Sequence, residues 1–587
     1  MRIAGLPGAP GIGVGPIWRY NGGAAEARPS PAPDGDAGAA IQSAAEEAVR
    51  QLDALADRMR DIGRADEAGI FEAQAMMATD PELLGAALDL AAGGEDPAAA
   101  VTTAADQAAA TLAALPDELL AARAADVRDV GARIVRILRG EQVPLPTEPS
   151  VAVAYDLPPS VAAELPQGML RGIVLEGGST TAHAVILARG LGIPAVVGAR
   201  GLLAAAAGAA ATRGAAGART IAVDGGSGEV VLDPNAADLA EFAFRAASLK
   251  RSRLAAASLR GHPGATADGH RIALLANIGG PEEATRALEM GAEGVGLFRT
   301  EFLFMKRQTA PTEAEQMVAY RSAFEAFGPE RPVVIRLADI GGDKALPYLE
   351  LPPEANPFLG VRAIRLAAHG SRELLLTQLR AIWRAAGLAG VTPHVMAPMV
   401  GTLTDVRLLL ELRDAARAGA AVTASAAGDP LPDRMATGVM IEIPSAALMA
   451  PELARLVDFF SIGTNDLTQY TLAADRGNAA LADLQDALHP AVLRLIREIV
   501  AGADAAGIPV AVCGELAGDP AGALVLVGLG IDELSADAGS LDAVRALLLS
   551  VGQADLADLA QRALAADDAQ TVRTMARDFL TRPGAHG

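Results

Sequence analysis

The sequence predicts a multidomain α/β protein whose larger part is a C-terminal (β/α)8 TIM barrel. Three observations carry this. Strand-like apolar runs recur eight times through the second half of the chain, helically spaced stretches such as EEATRALEM and SRELLLTQLRAIWRAA separate them, and nearly every run ends in a residue suited to chemistry. Such alternation over about 300 residues is the signature of a closed parallel barrel, and barrels gather their functional groups at the C-terminal strand ends. In order the runs are ALLANIG with Asn277, GVGLFRTEF with Arg299, VVIRLADIGGDK with Arg336, and HVMAPMV. Then come GVMIEIP with Glu442, FFSIGTNDLTQY with Asn465 and Asp466, VAVCGE with Cys513, and DELSAD with Ser535. An enzyme is expected.

Ahead of the barrel, GLPGAPGIGVGPIW (5–18) reads as strand and turn, then a Pro/Gly/Ala-rich connector runs to Gly38. From Ala39 to Arg139 the spacing is helical, and EQVPLPTEPS then breaks helix with its prolines. Short β-like runs follow: VAVAYDL, RGIVLEG, PAVVG, TIAVDGG and EVVLDP. They predict a mixed α/β unit that includes the strands before residue 20, with the helical block inserted into it. The low-complexity stretch 202–218 reads as a flexible or weakly helical surface segment. Residues 235–260 read as one long helix joining the halves, a semi-rigid spacer. Two Ala/Gly/Pro stretches, 415–434 and 474–490, read as barrel loops. The expected organisation is an α/β domain (1–35 and 146–234), a helical subdomain (36–145), a linker (235–262), the barrel (263–575) and a tail (576–587).

At 587 residues several cores are expected. No stretch reads as a transmembrane span, and the opening MRIAGLPGAPGIGVG lacks a basic-then-apolar signal layout. A single cysteine excludes an internal disulfide and permits a reducing compartment. The net charge of −22 argues against general nucleic-acid binding and suits either solubility or a basic partner. A soluble, cytoplasmic protein is expected.

In EGGSTTAHAVILARGLGIPAVVG, His183 stands between a Gly/Ser/Thr-rich turn and an apolar helix. There one ring nitrogen can be exposed while backbone N–H groups face an anion. A neutral imidazole so placed can attack phosphorus and carry a phosphoryl group. A structural histidine after turn glycines is the alternative.

These residues bring a resemblance into view. APGIGVG, RAADVRDVG, the His183 segment, ANIGGPEEA, GAEGVGLFRTEFLFM, DIGGDKALPY, NPFLGVRAIR, VDFFSIGTNDLTQYTLAADRGN and CGELAGD run essentially end to end. With them the chain resembles Enzyme I of the bacterial sugar phosphotransferase system, a phosphoenolpyruvate–protein phosphotransferase of the PEP-utilising enzymes. The family usually shows Gly-Gly-Arg-Thr-Ser-His, whereas here Gly178, Ser179, Thr180, Thr181 and Ala182 precede His183. Thr180 and Thr181 can still donate hydrogen bonds.

Phosphoenolpyruvate is a small trianion, and planar guanidinium forks bind both its carboxylate and its phosphate. The resemblance implies that Arg299, Arg336 and Arg476 contact it, that Asn465 hydrogen-bonds it, and that Asp466 touches it. Glu442 and Asp466 end the fifth and sixth runs; two carboxylates with substrate oxygens and water suit Mg²⁺. The resemblance makes Cys513 the acid that protonates the methylene carbon of enolpyruvate, and a thiol suits that role. Lys344 and Asp339 either support the phosphate or form a turn ion pair.

The implied activity passes the phosphoryl group of phosphoenolpyruvate through His183 to a histidine of the phosphocarrier HPr, releasing pyruvate as the first step of sugar transport. The helical subdomain would dock HPr, and the barrel would form a homodimer. A nitrogen-type Enzyme I, or a regulatory paralogue that binds carriers without turnover, is the alternative. A pyruvate phosphate dikinase or phosphoenolpyruvate synthase would need a large ATP-binding domain, and no GxxxxGK[ST] loop is visible.

Overall fold

The structure is a computed structural model that describes residues 1–20, 37–61, 65–113, 118–141, 145–165, 168–177, 183–208, 219–305, 307–342, 346–349, 351–352, 354–476 and 478–581. It divides into two units, Met1–Ser252 and Arg253–Gly587. The division falls inside the helix Ala236–Ala257, which occupies nearly all of the expected long helix.

The first unit contains β1 (Arg2–Ala4), β2 (Leu6–Ala9), β3 (Ile12–Arg19), β4 (Ser150–Ala154), β5 (Leu170–Leu175), β6 (Ala195–Val197), β7 (Thr220–Asp224) and β8 (Glu229–Leu232). They form one sheet in the order β1-β8-β7-β3-β4-β5-β6-β2. Strands from both sides of the helical block thus interleave, and β3 runs parallel to β4 across it. Five helices, α1 (Ala37–Asp61), α2 (Ala65–Ala78), α3 (Pro81–Ala92), α4 (Pro97–Ala113) and α5 (Glu118–Arg139), lie between those two strands in the chain.

Period-two alternation sorts the sheet faces. Val151 and Val153 pack with Val174, Val196, Ile221 and Val223 on one face. Ala152 and Ala154 face the other way into the core that holds the helices. On α1 the buried positions Ile41, Ala45, Ala48, Leu52, Leu55 and Met59 recur at steps of three and four, one helical face. The start of α3 is capped by Asp80, whose carboxylate accepts from the Glu82 and Leu83 N–H groups, with Pro81 at the first helical position. A buried polar network ties the block to the sheet domain: Asp129 accepts from Ser160 (2.8 Å) and from Gln74 (3.2 Å). Burial pushes the Asp129 carboxyl up, against these donors.

The second unit closes a barrel from β9 (Ala273–Ile278), β10 (Val295–Arg299), β11 (Val333–Arg336), β12 (His394–Ala397), β13 (Ala436–Ile441), β14 (Phe459–Ile462), β15 (Val510–Val512) and β16 (Glu533–Ala536). All eight neighbours pair in parallel. The expected runs each supply one strand. Val333 and Ile335, Val395 and Ala397, Val439 and Ile441 face the surrounding helices. Leu297, Val334, Met396, Ala436, Met440, Phe459 and Cys513 fill the interior. The same alternation carries Arg299, Arg336 and Glu442 inward at the strand ends.

Two expectations differ from the structure. Residues 415–427 are not loop but the second half of the helix Leu403–Ala427, which begins at a reciprocal cap between Thr402 and Asp405 and ends at Gly428 (φ 74°). The helix buries Ala416, Ala420 and Ala424, so alanines at steps of four form its core face. The tail expected from residue 576 is helical as far as Thr581, with Ala576 and Phe579 buried. In the stretch 202–218, Leu202–Gly208 is helical and 209–218 lies outside the described residues.

Candidate active site

Arg299 and Arg336 end β10 and β11 and pair in register. Two inward cations side by side repel unless an anion joins them. Arg336 pairs with Glu301 at 3.0 Å in a nearly buried ion pair, and its other Nη lies 3.8 Å from Met440 Sδ. Burial opposes the Arg336 charge, but Glu301, Asp339 and Glu442 hold its pKa above the ordinary value. Arg336 Nε is buried without a hydrogen-bond partner. Arg299 forms no ion pair with any described residue.

Glu442 follows β13 directly and is 1% exposed. Its Oε1 accepts from the Met399 N–H at 2.6 Å. Met399 adopts φ 57°, a conformation that costs a non-glycine residue about 1–3 kcal/mol and collects at functional sites. Gly463 lets Glu442 in: a β-carbon there would lie 2.7 Å from Oε2. Burial pushes the Glu442 carboxyl up, and the charges of Asp466 and Asp339 add to that, with Arg336 offsetting part.

Asp466 lies in the first turn of the helix Thr464–Leu472 after β14. Its Oδ2 is 3.6 Å from Arg476, a half-exposed residue, while its Oδ1 is buried with no partner among the described residues. An unsatisfied buried acceptor costs about 1–3 kcal/mol, more for a charged group. The Arg476 N–H donates to Gln469 Oε1 at 3.0 Å, which fixes the loop beyond the helix. Beside Asp466, Asn465 Oδ1 accepts from the Glu515 N–H at 3.3 Å.

Cys513 directly follows β15 and is buried. Its N–H donates to Ile462 O at 3.1 Å. Burial pushes its thiol up to about 11, beyond what Ser461, Arg336 and Arg299 lower. The thiol is therefore protonated at neutral pH, the state a proton donor needs.

Asp339 has its charge matched elsewhere. It accepts both Arg362 nitrogens, at 3.0 and 2.7 Å, in a pair buried to 3% exposure or less. Asp339 thus takes part in an ion pair with Arg362. Lys344 lies outside the described residues, as do 178–182 and the His183 side chain.

Among the described residues, pairing Arg336 with Glu301, Arg362 with Asp339 and Arg476 with Asp466 leaves Arg299 and Glu442 without an ion pair. One inward cation and one inward carboxylate are what an anionic substrate bound together with a cation would complete. Among the described residues no three His, Cys, Asp or Glu side chains form a metal site by themselves. Glu442 and Asp466 fit a divalent cation that takes its other ligands from substrate and water, and the orphaned Asp466 Oδ1 is the atom that such an ion would satisfy.

In the first unit, His183 opens the helix His183–Leu191. Ala184, Val185, Leu187 and Ala188 bury that helix, and Arg189 Nε donates to Gly8 O at 3.0 Å. The helix N-terminus at which His183 sits is therefore anchored.

Sequence reasoning passed over Glu301, Arg362, Met399 and Tyr470. Tyr470 donates to Phe358 O at 2.7 Å, and burial pushes its hydroxyl up to about 12. Glu301, two residues after Arg299 in RTEF, was the legible one: an acid that close beyond a strand-end arginine is placed to orient the next strand's arginine.

Comparison with known proteins agrees with this architecture. Residues 254–553 match the PEP-binding domain of PEP-utilising enzymes, 4–123 their N-terminal domain, and 146–228 their mobile domain. A phosphoenolpyruvate-protein phosphotransferase of Staphylococcus carnosus is 38% identical over 88% of this chain and 88% of its own. One from Haemophilus influenzae is 39% identical over 91% of this chain and 90% of its own. A multiphosphoryl transfer protein of Xanthomonas campestris is 41% identical over 98% of this chain, which spans only 66% of that longer relative. Among the described residues no helix is long and apolar enough to cross a membrane.

Proposed function

The chain belongs to the PEP-utilising enzymes, among the phosphoenolpyruvate–protein phosphotransferases, and from that premise we propose that it passes phosphorus from phosphoenolpyruvate to His183 and on to a histidine of an HPr-type carrier. The observation that carries the reading is the charge pattern of the barrel mouth. Among the described residues Arg299 and Glu442 form no ion pair, and Asp466 Oδ1 is a buried acceptor without a donor.

Arg299 and Arg336 bind and orient the phosphoryl oxygens, with Glu301 fixing the Arg336 fork. Asn465 and Arg476 orient the carboxylate end. Glu442 and Asp466 would hold a divalent cation, Mg²⁺, which would supply charge neutralisation to the bound substrate. The neutral His183 imidazole then attacks phosphorus: an N–P bond forms, the P–O bond breaks, and its electron pair stays on the enolate oxygen. Cys513 gives its thiol proton to the methylene carbon, so that pyruvate leaves and the thiolate regains a proton from water. The phosphorylated imidazole finally meets the carrier histidine, and a carrier of the sugar phosphotransferase system makes this the first step of sugar uptake.

The experiment is pyruvate release from phosphoenolpyruvate by the whole chain with HPr and Mg²⁺, with and without ATP. HPr-dependent, ATP-independent release supports the reading. Release that needs ATP would point instead to a dikinase, and carrier binding without release to a regulatory protein.

A further inference from the structure

Two side chains at the barrel mouth, Asn277 and Ser535, have no part in the scheme above, and they form a chain of bonds that ends on the Cys513 carbonyl. Asn277, inward near the end of β9, donates from Nδ2 to the Cys513 carbonyl at 3.0 Å. Ser535, fully buried on β16, donates from its hydroxyl to Asn277 Oδ1 at 2.7 Å. With its oxygen occupied by Ser535, the amide can present only its nitrogen to Cys513, so the direction of the chain of bonds is fixed. Gly296 leaves room for this: a β-carbon there would lie 2.5 Å from Ser535 Oγ.

The need for such a support lies in the strand ladder. β15 pairs with β16 only at Ala511–Glu533 and Val512–Leu534, so the ladder to that side stops one residue before Cys513. On the other side the Cys513 N–H is held by Ile462 O. The carbonyl would have no strand partner, and the Asn277 side chain takes that place from two strands away. Both peptide groups of Cys513 are thereby held, and the thiol between them donates to Ile462 O at 3.6 Å.

We propose that Asn277, oriented by Ser535, is a positioning residue that sets which face of the enolpyruvate methylene receives the Cys513 proton. This rests on the reading of Cys513 as proton donor. In the step concerned, the enolate pair collapses to the ketone, C3 takes the proton from Sγ, and the S–H electron pair remains on sulfur. Loosening the carbonyl shifts the thiol without removing it, and misplacement of about 1 Å costs up to ~100-fold in a positioned reaction.

The test uses the whole chain, phosphoenolpyruvate stereospecifically deuterated at C3, Mg²⁺ and HPr in tritiated water, and reads the configuration of the chiral methyl group of pyruvate. The variants are Ser535→Ala, Asn277→Asp and Cys513→Ala, each checked for an unchanged melting transition. The native chain should protonate one face. Ser535→Ala and Asn277→Asp should give mixed configuration and slow pyruvate release by about 10- to 100-fold, with a smaller effect on single-turnover labelling of His183. If Cys513→Ala loses the preference while both other variants keep it, the positioning role is wrong and the donor reading stands. If Cys513→Ala keeps it, the donor reading falls and this inference with it.

Discussion

Arg299 and Arg336 stand opposite each other as the last residues of neighbouring parallel strands, and among the described residues only Arg336 forms an ion pair. That asymmetry makes Arg299 the cation left for the substrate. Arg299→Ala and Arg336→Ala should each lower kcat/KM for phosphoenolpyruvate by about 100- to 1,000-fold, the usual loss for one donor to developing charge. Lysine at either position should recover little, because it lacks the bidentate fork. Near-native kcat/KM in either alanine variant, measured at saturating metal, would take that residue out of the site.

The carboxylate pair predicts a different failure. Glu442→Ala and Asp466→Ala should each abolish metal-dependent turnover and weaken Mn²⁺ binding followed by paramagnetic resonance in the presence of substrate. Asp466→Ala removes an unsatisfied buried acceptor, so the variant barrel should be no less stable than the native one in denaturant. Metal binding that survives both substitutions would move the cation elsewhere.

Asp339→Asn should behave in the opposite way. It leaves Arg362 buried beside a neutral partner, which costs about 3–5 kcal/mol when one member of a buried pair is removed. Denaturant titration of the chain should show the barrel transition moved to lower denaturant, and a shift below about 1 kcal/mol would mean that solvent or a neighbouring acid reaches Arg362.

The Cys513 thiol, pushed up to about 11, predicts a pH profile. An unfolded cysteine loses its proton near ~8.5. Between these values the unfolded chain binds fewer protons than the folded one. The contribution of Cys513 to stability is thus fully present below the unfolded value and declines as pH rises toward the folded one. Alkylation of the folded chain should accordingly stay slow at pH 8 and accelerate only toward pH 11. Rapid labelling at pH 8 without unfolding would contradict the buried, protonated state.

Much of this was legible in the sequence for a physical reason. Strands buried on both faces read as continuous apolar runs, and the residue that closes each run falls at the barrel mouth, which is how Arg299, Arg336, Glu442 and Cys513 stood out. The stretch 415–427 misled because its core face is built from Ala416, Ala420 and Ala424, whose small side chains give a weak periodic signal. Met399 was invisible because it acts through its backbone N–H in a left-handed conformation, and no side-chain type announces that. Arg362 was read only as part of a longer motif, since its pairing with Asp339 depends on how the loop after β11 folds back.

The central claim is that phosphorus passes through His183, and one measurement tests it most directly. The whole chain, mixed with radiolabelled phosphoenolpyruvate and Mg²⁺ without carrier, should take up acid-labile, base-stable label and release an equal amount of pyruvate. His183→Ala should take up none, while still binding phosphoenolpyruvate at the barrel with native affinity. Acid-labile label retained on the His183→Ala chain would contradict the account.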